Sequence, residues 1–157
     1  MSAVTSLITG CAGFLLAVLW MDLIFDVQVF AHRYAGDELS ERVLKSLSAY
    51  YHRATTTSRP MSKLIALVMV VLLAALGFRA IGRHDPGWLM VTSVALGSVP
   101  ILLAAIRTVP NAVRLGNRSG SLAEQTRFAR SICHDHLLCV GCMAALLVLW
   151  IADSGVN

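Results

Sequence analysis

Four long apolar stretches constrain this chain more than any other feature. They run from about residue 7 to 30, 64 to 81, 88 to 106 and 133 to 152. A hydrocarbon layer about 30 Å thick takes roughly 20 residues of helix to cross. A helix also satisfies its backbone hydrogen bonds within itself, as that layer demands. None of the stretches alternates apolar with polar residues as a barrel strand would. Of the 157 residues, 57% are apolar and 14% charged. An ordinary soluble domain has about 45–50% apolar residues and about 25% charged. A soluble globular enzyme, a disordered tail and a free nucleic-acid-binding module are thereby excluded. The expected fold is all-α: one integral membrane domain over 1–157, an up-down four-helix bundle.

Basic residues orient it. Arg33, Arg42, Lys45, Arg53, Arg59 and Lys63 fall between the first two spans, and Arg107, Arg114, Arg118, Arg127 and Arg130 between the last two. The remaining connection has only Arg79 and Arg83. Cytoplasmic loops collect Lys and Arg, so both termini are expected outside a plasma (inner) membrane. The two basic loops then meet anionic lipid headgroups rather than nucleic acid. The first basic residue is Arg33, so the first span lacks the basic start of a secretory signal and is expected to remain.

The connections differ in kind. Gly82-Arg83-His84-Asp85-Pro86-Gly87 reads as a tight turn between spans two and three. In the first inner loop, Leu39, Val43, Leu47, Tyr50 and Ala54 recur at helical spacing. This predicts an amphipathic helix over about 38–54 on the membrane surface, tyrosines inward; a plain extension of span one is the other reading. Thr55–Ser58 reads as a linker, and Pro60 suits the first turn of span two. The second inner loop holds Val109-Pro110-Asn111 and Gly116–Gly120. Ser121-Leu122-Ala123-Glu124 is then a capping box, starting helix four about three turns before the membrane.

Ionisable groups within a span are costly and invite a functional reading. Asp22 and Asp26 lie four apart on one helix face. Asp22 either faces the bundle interior or shares a solvated interfacial pair with Asp26. Asp26 is expected at the interface, in water or paired with a loop arginine such as Arg33. Cys133-His134-Asp135-His136 falls at the same depth on span four. Asp22, Asp26, His134 and His136 are therefore candidate metal ligands, of the types that zinc, iron, manganese or copper accept. A transition metal is the cofactor such a set would take. His134 and His136 are two apart, so a helix points them in different directions. The Glu-x-x-His pairing of di-metal bundles is missing.

Asp135, Cys139 and Cys142 share one line of helix four, and Cys139-Val140-Gly141-Cys142 has redox-motif spacing. An apolar helix disfavours the thiolate, so these cysteines read as small hydrophobes. Gly10, Gly13 and Ala17, and Ser93, Gly97, Pro100 and Ala104, form small-residue lines suited to close helix packing. Pro100 is expected to kink span three. Trp88 and Trp150 fit an outer aromatic belt, with Trp20 inside the membrane.

The segments LLAVLWMDLIFDVQVFAHR, TVPNAVRLG and RFARSICHDHLLC resemble small bacterial four-span membrane proteins. The layout is faintly similar to the anthrone-oxygenase-like family. That resemblance implies an oxidative role on a lipophilic aromatic substrate and makes Asn111, in the Pro/Asn loop, a further candidate. Two functions are therefore expected in competition. One is a non-enzymatic accessory or partner-binding subunit, in a homo-oligomer or larger membrane complex. The other is a metal- or proton-dependent membrane oxidoreductase acting through the Asp/His cluster.

Overall fold

The structure, a computed structural model, describes residues 2–30, 38–82 and 85–156. Arg33, and the Arg83-His84 pair of the expected turn, lie outside the described residues. Among the described residues six α-helices follow in order: α1 (Ala3–Phe30), α2 (Glu41–His52), α3 (Arg59–Gly82), α4 (Gly87–Leu103), α5 (Val109–Gly116) and α6 (Leu122–Val156). No strand occurs among the described residues. Four continuous helical segments, at Ala3–Phe30, Arg59–Gly82, Gly87–Gly116 and Leu122–Ser154, are long and apolar enough to cross a membrane.

Two π-helical turns replace expected loops. Arg53–Thr57 continues α2 where a Thr-rich linker was expected. Thr55 Oγ1 donates to the Tyr51 carbonyl at 2.8 Å and Thr57 Oγ1 to the Arg53 carbonyl at 3.2 Å. These hydroxyl bonds to the preceding turn keep the threonines helical and loosen the backbone pitch. Ser58 then breaks the helix, and Pro60 sits in the first turn of α3, where its missing N–H leaves no bond broken.

The second π turn, Ala104–Thr108, joins α4 to α5. Val109-Pro110-Asn111 is thus helical, not loop, because Pro110 falls in the first turn of α5. Pro100 lies inside α4, one turn before this irregularity. The chain reverses only beyond Gly116, where Arg118 and Gly120 adopt positive φ. Ser121 then caps α6: its Oγ accepts from the Glu124 N–H at 3.3 Å while Glu124 Oε2 accepts from the Ser121 N–H at 2.9 Å. At 1.5 Å per residue, the 35 residues of α6 span about 52 Å.

Helix α6 packs along α1 and α4, and α3 along α1 and α4. One apolar cluster joins Ile8, Ala12 and Leu15 of α1 to Leu72 and Leu76 of α3 and Met143, Leu146 and Trp150 of α6. Trp150 is wholly buried and donates from Nε1 to Ser93 Oγ at 3.0 Å, with the Arg79 guanidinium 5.3 Å from its ring centre. A buried indole N–H needs an acceptor, and Ser93 supplies it. Gly97 permits close packing, since a Cβ there would come within 2.9 Å of Leu76 Cδ1. Gly10 and Gly13 do not act this way, for nothing lies within 4 Å of a Cβ at either. The face of α1 that packs is instead Ile8, Ala12 and Leu15.

A second cluster forms a cap at one end. Leu39, Leu44, Leu47 and Tyr51 pack against Ala112 and Leu115 of α5 and Ala129, Ile132 and Cys133 of α6. Gly116 lets α2 and α5 meet: a Cβ there would lie 2.8 Å from the His52 backbone nitrogen. Arg118 and Glu41 add a 2.6 Å ion pair at the rim.

Candidate functional site

A polar layer separates the two apolar clusters. Along α1, Ile8, Leu15, Asp22 and Val29 recur every seven residues, and Asp26 falls one turn beyond Asp22. A helix brings such positions to one face, so two carboxylates occupy places that the pattern gives to core residues. Asp26 is 1% exposed. This corrects the expected solvated position at an interface. The Asp22 side chain is 23% exposed.

Two other helices supply the partners. The adjacent Tyr50 and Tyr51 of α2 reach one carboxylate each, one helical turn apart on α1. Tyr51 donates its hydroxyl to Asp26 Oδ1 at 2.5 Å, and Tyr50 donates to Asp22 Oδ1. Phe25 stacks on the Tyr50 ring with centroids 3.9 Å apart. From α6, His136 Nδ1 lies 2.7 Å from Asp26 Oδ2, and its Nε2 lies 3.9 Å from Asp22 Oδ2. The imidazole is buried between the two acids. Tyr50, Asp22, His136, Asp26 and Tyr51 thus form one polar cluster, hydrogen-bonded except for the 3.9 Å step between Asp22 and His136.

Burial pushes both tyrosine phenols above their ordinary range, and the neighbouring carboxylates push them further. They stay protonated at neutral pH and act as donors, which fixes the carboxylates as acceptors. Both oxygens of Asp26 are thus occupied, one by a phenol and one by an imidazole nitrogen.

Helix geometry sorts the rest of the histidine segment. His134, two positions from His136, is exposed and does not join the carboxylates. Asp135 turns the other way, wholly buried against Arg107 and Thr108 of the π turn. Cys133 Sγ lies 3.8 Å from the Asp26 carbonyl. Cys139 is buried, Cys142 half-buried, and no disulfide joins the four cysteines. Asn111 Nδ2 donates to Ser131 Oγ at 3.3 Å, away from the acids. Among the described residues, no group of three or more His, Cys, Asp and Glu is arranged to hold a metal ion. Asp26 and His136 come together as hydrogen-bonding partners, with Asp22 3.9 Å from the same imidazole.

Sequence reasoning overlooked Tyr50, Tyr51, Arg107 and Thr108. The tyrosines were expected to point inward, with no partner named for them. The available signal was a Tyr-Tyr pair on the apolar side of a helix, opposite two unpaired acids. Against known proteins, the chain matches no family model, no curated protein and no solved structure.

Proposed function

We propose that the protein is a multi-pass plasma-membrane protein with both termini outside, acting as a non-enzymatic, partner-binding helix-bundle subunit whose cytoplasmic cap is tied to the bundle through Asp26. The observation that carries this reading is Asp26, buried within a span and bound by both Tyr51 and His136. An ionised Asp26 accepts two charge-assisted hydrogen bonds, each worth about 1.5–3 kcal/mol. Replacing Asp26 with asparagine removes the charge and places N–H hydrogens where a donor already points. The tie between α1 and α2 weakens, and the cap of α2 and α5 loosens from the bundle.

The surrounding groups set the balance. Asp22 faces His136 from α1, and Tyr50 and Tyr51 face the acids from α2. His136 lies between the two carboxylates, 2.7 Å from Asp26 and 3.9 Å from Asp22. Asp135, next to it on α6, is already matched by Arg107. Hydrogen–deuterium exchange of residues 41–57 in micelles tests the idea. At neutral pH, protection of these amides is expected to be lower in Asp26→Asn than in the wild type. Equal protection in the two while the helices remain folded sinks the proposal.

One observation favours a second reading, a proton-dependent oxidoreductase acting on a lipophilic aromatic substrate. Asp22 is partly open beside the Phe25–Tyr50 stack, so a flat ring entering from the bilayer would meet a carboxylate. Consumption of an anthrone by the wild type and not by Asp22→Asn would favour this reading over the first.

A further inference from the structure

The π turn Ala104–Thr108 presents an arginine in an unusual way. Arg107 donates from Nε to Asp135 Oδ2 at 3.0 Å and from Nη2 to Oδ1. Thr108 Oγ1 lies 3.0 Å from the same Oδ2. Asp135 thereby holds one long edge of the guanidinium. The carboxylate is wholly buried, but the Arg107 side chain is 46% exposed. The opposite edge, made of Nη1 and the second N–H of Nη2, takes no acceptor among the described residues. Ile106 and Val109 beside it in the chain are 74% and 52% exposed. The open edge therefore leaves the bundle where an apolar surface ends.

We propose that this open edge of Arg107 binds the phosphate of an anionic phospholipid in the cytoplasmic leaflet. The inference rests on the reading that the four apolar helices span a membrane. A guanidinium fork matches two oxygens of a phosphate, which a lysine ammonium does not. Asp135 and Thr108 fix the fork before any ligand arrives, so little side-chain freedom remains to be lost on binding. An ion pair serving the fold alone would be expected to bury both partners, whereas here only the acid is buried. The leaflet surface supplies anionic headgroups at this depth. The π turn makes the arrangement, because its wider register lets the consecutive Arg107 and Thr108 both reach one carboxylate.

The test uses full-length protein in a neutral detergent, with phosphatidylglycerol or phosphatidylcholine added and retained lipid counted by native mass spectrometry. Wild type is expected to retain phosphatidylglycerol over phosphatidylcholine. Arg107→Lys keeps the charge beside Asp135 but loses the fork, and is expected to bind about tenfold more weakly, equivalent to about 1.4 kcal/mol. Arg114→Gln, a control on α5, is expected to bind as wild type does. Millimolar inorganic phosphate is expected not to displace the lipid; displacement assigns the site to free phosphate instead and overturns the lipid proposal. Equal retention of both lipids, or unchanged retention by Arg107→Lys, also overturns it. Resistance to carbonate extraction is scored on the cell membranes from which each preparation is made. Protein released by carbonate sinks the spanning reading, whereas carbonate-resistant protein with unchanged lipid retention sinks this inference alone.

Discussion

Tyr50 and Tyr51 differ by one position in the chain and by a large step in consequence. Tyr51 meets a carboxylate that water barely reaches, while Tyr50 meets one that is partly open. Deleting a donor from a buried charged acceptor leaves its desolvation uncompensated, at about 1.5–3 kcal/mol. Tyr51→Phe is therefore expected to destabilise the cap by about that amount, and Tyr50→Phe by less than about 1 kcal/mol, since water replaces the lost hydroxyl. Thermal unfolding in micelles, followed with exchange of α2 amides, checks the order; equal effects would refute the asymmetry. Both phenols have raised folded-state values, so their contribution is whole below the ordinary tyrosine value of 10.0 and is lost as pH climbs above it. The same cap is thus expected to loosen in strong alkali, with Tyr51→Phe blunting that limb.

At the scale of elements, the π turn Ala104–Thr108 decides how the third long helical segment presents its side chains. A π turn contains one residue more than the α-helix it interrupts. Deleting Ala105 removes that extra residue and should restore α-helical pitch while leaving the orientation of α5 nearly unchanged. Arg107 and Thr108 would then no longer share Asp135, whereas Ala112 and Leu115 would stay in the cap cluster. Retained helicity by circular dichroism and retained α2 protection, with weaker retention of phosphatidylglycerol, are the expected outcome. Unchanged lipid retention would show that the π turn is incidental. The helices themselves were readable from apolar run length, from Pro60 at a helix start and from the Ser121–Glu124 box. The two π turns were not, because Thr-rich and Pro-Asn segments read as loops unless tertiary packing holds them helical.

For the whole molecule, the basic residues make a directional claim. Alkaline phosphatase fused after Asn117 is expected to be inactive in cells, and fused after Ser154 active, with both termini outside. Active enzyme after Asn117 would reverse the topology and remove Arg107 from the cytoplasmic leaflet. The architecture places the polar layer between two apolar clusters, one within the long helices and one in the cap. A change of charge in that layer therefore acts where the two halves of the molecule join.

The four apolar helices, their approximate ends and the shared helix face of Asp22 and Asp26 follow from the chain alone. Local periodicity and run length contain that information. That only one of His134 and His136 can turn to the acids is equally local, a matter of 100° per residue. Tertiary structure alone decided that His136 is the one, and that Asp26 is buried rather than wet. It also decided that Tyr50 and Tyr51 answer the two carboxylates, and that Asp135 turns away to Arg107. These outcomes depend on how α2 and α6 are rotated against α1 and on two π turns. Rotation about a helix axis is set by packing between segments far apart in the chain, and no local spacing records it.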